Sequence, residues 1–133
     1  MNIKRVRRGI VLGMVGGLAG LGGVHLWAGQ ILPEATASRY LQTGALLVDV
    51  RSLGEFTNGH APQAINIPLA EVKSQFPQQV TNKSSVILLY CRTGHRSGLA
   101  EQELHDLGYT NAFSIGTLKQ AKHAVSMSRA NRH

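Results

Sequence analysis

Residues 86–97, VILLYCRTGHRS, decide the fold. Val86 to Tyr90 form the clearest buried strand in the chain, and they run directly into Cys91 and a glycine-containing loop. From Ser97 the period changes. Ala100, Leu104 and Leu107 recur at helical spacing, while Glu101, Gln102, Glu103, His105 and Asp106 take the opposite side, which predicts an amphipathic helix. Gly108 stands where a left-handed C-terminal cap belongs, with Tyr109 as its hydrophobic contact.

The flanking sequence repeats the alternation. Residues 45–50, ALLVDV, follow a turn at Gly44 and end in charge at Arg51, as expected of a strand buried on both faces of a parallel sheet. Residues 64–67 give a short strand between the turn at 59–62 and Pro68, and residues 69–76 give a short amphipathic helix. A further strand is expected at 112–115 and a last helix at 118–124, leaving 125–133 as a polar C-terminal tail. Strands alternating with helices predict an α/β domain over 38–124, with a parallel sheet flanked by helices.

The chain has 133 residues, enough for one compact domain. Hydrophobic residues make up 43% and charged residues 16%, with 15 glycines and 4 prolines, which excludes a disordered or collagen-like polymer. The net charge of +7 is unevenly placed. Lys4, Arg5, Arg7 and Arg8 open the chain, and Lys119, Lys122, Arg129 and Arg132 close it with no acidic residue after Asp106. Without basic residues interleaved with aromatics, this distribution argues against nucleic-acid binding.

After the first basic cluster, residues 9–28 (GIVLGMVGGLAGLGGVHLWA) are uncharged. Basic then apolar is the order of an export signal that keeps the start of the chain cytoplasmic. Residues 1–37 are therefore expected to be either a signal peptide or a membrane anchor plus linker, with the rest exported. Ala35-Thr36-Ala37 offers a small-x-small cleavage site behind Pro33, and twenty apolar residues also suffice to span a bilayer. Gly9, Gly13 and Gly17 have the spacing of a helix-pairing face, a pattern that any glycine-rich apolar stretch also produces.

Cys91 is the single cysteine, so an internal disulfide and a multi-cysteine zinc site are both excluded. It is either a buried small hydrophobe or a reactive thiol. In an open parallel sheet, ligands collect beyond the carboxyl ends of strands, which is where Cys91 lies. The loop CRTGHRSG lets successive N–H groups curve around the sulfur, and the following helix aims its positive end there. Arg92, Arg96 and His95 add positive charge. Cys91 is thus expected to be a nucleophilic thiolate at neutral pH, since this polar setting suits an inert core cysteine poorly.

These residues carry a family resemblance. LLVDVRSLGEF, GHAPQAINIP, YCRTGHRS and GYTNAFSIG resemble, in order, the motifs of a single rhodanese domain, a sulfurtransferase, from about Leu46 to Ile115. The apolar N-terminal segment, the small size and the wording NIPLAEVK are similar to the periplasmic phage-shock-type rhodaneses of bacteria. The resemblance implies that Cys91 carries sulfur as a persulfide and that Arg92, Thr93, Gly94, His95, Arg96 and Ser97 form the substrate-binding loop, with no cofactor or metal. Asp49, Arg51, Glu55 and His60 match positions read as scaffold, charged side chains pairing to position strand ends. Rhodanese-like phosphatases resemble this loop in a Cys-x5-Arg form sized for phosphate. Here four residues separate Cys91 from Arg96, a tighter loop that suits a single sulfur.

Two departures stand out. Thr117 follows Gly116 where the family often has a second glycine, with no tryptophan after it, and Gln63 replaces a turn glycine. The expected activity is that of a monomeric, exported bacterial periplasmic domain moving sulfur from thiosulfate, or a similar donor, to cyanide or a thiol. The alternatives are a partner-dependent persulfide carrier with little small-molecule turnover, and a membrane-tethered module whose thiol is oxidised or glutathionylated.

Overall fold

The computed structural model describes residues 30–132. Four parallel strands, β1 (Leu46–Asp49), β2 (Ile65–Asn66), β3 (Ile87–Cys91) and β4 (Ala112–Thr117), form one sheet in the spatial order β2-β1-β3-β4. Five α-helices accompany them among the described residues: α1 (Glu34–Gln42), α2 (Leu53–Thr57), α3 (Val72–Gln79), α4 (His95–Asp106) and α5 (Leu118–Ala130). This is the α/β architecture the sequence predicts, a parallel sheet flanked by helices.

The period-two geometry of β3 sorts its side chains into two cores. Ile87, Leu89 and Cys91 face the side holding Val72, Phe76, Ala100, Leu104 and Tyr109, where α3 and α4 pack. Leu88 and Tyr90 face the other side, with Ala37 and Leu41 of α1 and Ala121, Ala124 and Val125 of α5. All five β3 residues are buried, which is why the strand reads as an unbroken apolar run. Cys91 therefore ends a strand whose position is fixed from both faces.

The structure differs from the sequence reading at several element boundaries. Helix α5 runs on to Ala130, through residues expected to be a polar tail, because Ala121, Ala124, Val125 and Ser128 keep the helical spacing and are buried. Helix α4 begins at His95 rather than Ser97. Gly94 adopts φ 96°, a left-handed turn that takes the chain into the helix after a loop of only Arg92, Thr93 and Gly94. Helix α2 was not anticipated. It is held by a reciprocal capping box between Ser52 and Glu55.

Helix α1, also unanticipated, spans the 37/38 boundary drawn from the sequence and buries Ala37 against α5. Tyr40 stacks on Phe113, and Glu34 pairs with His123. Ahead of α1, the Leu32 N–H bonds the carbonyl of Ser114 at 2.8 Å, covering part of the edge strand. Of the expected signal or anchor plus linker at 1–37, residues 1–29, with the helix-pairing glycines, lie outside the described residues. Among the described residues, no helix is long and apolar enough to cross a membrane.

Both departures from the family motifs have visible consequences. Gln63 keeps the left-handed conformation of the glycine it replaces, at φ 64°. Thr117 is extended, and its hydroxyl accepts from Gln120 N–H while Gln120 Oε1 accepts from Thr117 N–H, so it caps α5 and a second glycine is unnecessary. Gly116 remains obligatory: its φ is 96°, and a Cβ there would collide with the Gln120 carboxamide.

Candidate active site

Cys91 is fully buried by its surroundings, yet its sulfur is encircled by donors. The Gly94 N–H lies 3.0 Å from Sγ, the Ser97 N–H 3.4 Å and the Ser97 hydroxyl oxygen 3.5 Å. Burial alone raises the thiol pKa. The hydrogen bonds from Ser97 Oγ and from the N–H groups of Ser97, Gly94 and Thr93 outweigh it, and the net shift is downward. The early start of α4 makes this possible, because it places Ser97 N–H in the first turn, where backbone donors are free.

The charged residues of the loop are placed differently from the expectation. Arg96 does not stand open to an incoming anion. Its Nη1 and Nη2 donate to Glu55 Oε1 and Oε2 at 2.8 and 3.0 Å, a bidentate bridge from α4 to α2. Arg96 holds the Glu55 carboxyl well below the usual carboxylate range, helped by the Ser52 N–H. The Glu55 bond in turn raises Arg96. Arg92 is largely exposed, with Nε 3.4 Å from Glu55 Oε2. Thr93 and His95 are exposed on the rim, where Thr93 Oγ1 accepts from the His95 N–H.

The residues read as scaffold form a separate cluster. Arg51 donates to both carboxylate oxygens of Asp49, with Nη2 2.7 Å from Oδ2, and to the Gly59 carbonyl at 2.7 Å. Asn66 Nδ2 donates to the carbonyls of Asp49 and Arg51, and the Tyr90 hydroxyl accepts from Ala61 N–H at 2.9 Å. His60 stacks on Phe56 and bonds its carbonyl. These contacts fix the carboxyl end of β1 beside that of β3. His60 meets Phe56 of α2 rather than the Asp49–Arg51 pair, and of the four only Glu55 reaches the cysteine loop.

Sequence reasoning did not single out Ser114, and it set Glu101 on the polar side of the helix, whereas the structure buries Glu101 against Ser114. Ser114 Oγ is 2.7 Å from Ser97 Oγ, and Glu101 Oε1 accepts the Ser114 N–H at 2.7 Å. The available signal was a serine at an inward position of the otherwise apolar run 112–115.

A parallel sheet with a thiol cupped by amides at the carboxyl end of a central strand defines a class, and a family model agrees. The model described as Rhodanese-like domain matches residues 33–118, and the chain belongs to that family. It is 39% identical over 72 residues to the thiosulfate sulfurtransferase PspE of Escherichia coli K12, covering 54% of this chain and 69% of that protein. Among solved structures, an E. coli rhodanese with anions matches at TM-score 0.56 and 36% identity, over 58% of this chain and 91% of the other. A human single-domain sulfurtransferase, TSTD1, matches at TM-score 0.60 and 28% identity, over 68% and 92%.

Proposed function

We propose that the protein is a sulfurtransferase that carries sulfane sulfur as a persulfide on Cys91, taking it from thiosulfate or a similar donor and giving it to cyanide or a thiol. The observation that carries this reading is the convergence of Gly94 and Ser97 N–H groups on Cys91 Sγ. In the first step the thiolate attacks the outer sulfur of thiosulfate. A new S–S bond forms to Cys91, the S–S bond of thiosulfate breaks, and its electron pair leaves with sulfite. In the second step the acceptor attacks the outer sulfur of the persulfide, and the thiolate is released. The loop amides stabilise the anion at both stages, so the protein supplies charge stabilisation more than acid catalysis.

The test is thiocyanate formation from thiosulfate and cyanide by the full chain beside Cys91→Ser. Activity lost in the variant supports the reading. A folded protein with a free thiol and no turnover sinks the thiosulfate assignment.

One observation favours a second reading, a persulfide carrier fed by a partner protein. Glu55 occupies Arg96 and approaches Arg92, which reduces the positive field available to a small dianion. A thiol-reversible gain of one sulfur in intact mass, in a protein without thiosulfate turnover, would favour this carrier. A glutathione adduct would point instead to a redox module. In either sulfur-transfer reading, residues 1–37 address the domain to the periplasm, by a cleaved signal or by a retained anchor and its linker. Cell fractionation with mass analysis of the mature N-terminus tests that placement.

A further inference from the structure

Behind Cys91 lies a second hydroxyl that the sulfur chemistry above leaves unused. Ser97 Oγ carries one proton and faces three acceptors: Cys91 Sγ at 3.5 Å, the Gly94 carbonyl at 3.1 Å and Ser114 Oγ at 2.7 Å. Both serines are buried. Among the described residues, Ser97 is the hydrogen-bond partner of the Ser114 hydroxyl. If Ser97 donated to Ser114, the Ser114 proton would be left unpaired in the interior, a costly arrangement. If Ser114 donates instead, its proton is satisfied and the Ser97 proton is released toward the sulfur or the carbonyl. A negative sulfur then competes for it through a charge-assisted bond.

The backbone of Ser114 is clamped for this purpose. Its N–H goes to Glu101 Oε1 at 2.7 Å, and its carbonyl receives the Leu32 N–H at 2.8 Å. The β3–β4 register is also irregular beside it, passing from the pair Leu89 and Ser114 to the pair Tyr90 and Gly116. The side chain is thereby held under Ser97.

We propose that Ser114 is a positioning residue: by donating to Ser97 it turns the Ser97 hydroxyl onto Cys91 and so favours the anionic sulfur. This rests on Cys91 being the reacting sulfur, as in the function proposed above. The charged groups around the sulfur are Arg96 of α4, offset by Glu55 of α2, with Arg92 on the rim, Arg51 held by Asp49 beyond β1, and Glu101 of α4 on the Ser114 N–H. Substituting the Ser114 side chain removes none of them.

The test follows thiolate formation in the full chain, by ultraviolet absorbance of the thiolate and by alkylation rate against pH. Ser114→Ala should raise the midpoint by about half to one pH unit, a roughly three- to tenfold loss of thiolate below the midpoint. Ser114→Thr and Ser114→Val have the same shape and differ in the hydroxyl. The threonine variant should titrate close to wild type and the valine variant like alanine. Because Ser114 acts through Ser97, the double variant Ser97→Ala/Ser114→Ala should titrate like Ser97→Ala alone. An unchanged midpoint in Ser114→Ala, equal midpoints for threonine and valine, or full additivity with Ser97→Ala would each overturn the proposal. No sulfur donor is used, so these curves stand whether or not the protein turns over thiosulfate, and loss of that turnover in the wild type would count against the proposed function alone.

Discussion

Two arginine–carboxylate pairs lie close together in this molecule and serve different ends. Asp49 and Arg51 are separated by one residue and shut away from solvent, their side chains 0% and 8% exposed. Glu55 and Arg96 come from separate helices and remain partly wet, at 22% and 33%. The first pair holds the fold: it joins the end of β1, the Gly59 carbonyl and the Tyr90 ring, over which the guanidinium sits at 5.7 Å. The second pair sets the charge at the mouth of the cysteine loop. Similar chemistry thus becomes structural or functional according to how much water each pair retains.

The largest effect is expected from Asp49→Ala, which strands Arg51 in the interior and should cost about 3–5 kcal/mol of stability. Urea unfolding measures it, and a loss under about 1 kcal/mol would erase the distinction between the two pairs. Glu55→Gln should instead leave the protein folded and alter function. Under the proposed thiosulfate chemistry, releasing Arg96 strengthens the field for the dianionic donor, so KM should fall by about two- to fivefold at low salt, with the gain shrinking as salt is added. A KM that rises would mean Arg96 must be held by Glu55 to serve the substrate.

The pH dependence sharpens the contrast further. Because the folded-state pKa of Glu55 is depressed, its contribution to stability is complete above the ordinary carboxylate pKa near ~4.3 and is lost as the pH falls below it. The stability gap between wild type and Glu55→Gln should therefore stay constant from neutral pH down to about pH 5 and narrow progressively below that. Chemical unfolding curves from pH 7 to pH 3 read this directly, and a gap that widens would contradict the pairing. The smallest effect belongs to the exposed turn next to the buried pair. Gln63→Gly relieves a left-handed residue in the turn that follows Gly59 and should stabilise by about 0.5–1 kcal/mol, seen as a higher melting temperature.

Much of this was legible in the sequence, for reasons that vary by residue. Strand β3 announced itself because a strand covered on both faces must be apolar throughout, and the Gly108 cap followed from its place after the last helical leucine. The scaffold role of Asp49, Arg51 and His60 was also readable. Helix α1 was not, because Ala35-Thr36-Ala37 reads as a cleavage site, and only Ala37, Ser38 and Leu41 of the helix are buried, too few to show a clear period. Helix α2 was too short to show a period, although Ser52 and Glu55 at capping-box spacing were there to be read. The coupling of Glu55 to Arg96 joins residues 41 positions apart and leaves no local trace. Ser114 likewise becomes meaningful only once α4 sets Ser97 above it.

The bond from Leu32 to Ser114 has a mechanical consequence. It pins the leading end of the described chain to the strand that backs the Cys91 sulfur, and a Cβ placed on Gly94 would lie 3.5 Å from the Ile31 side chain. A pull on residue 30 is therefore carried through this bond to the strand whose Ser114 hydroxyl lies 2.7 Å from Ser97, the residue whose N–H faces the Cys91 sulfur.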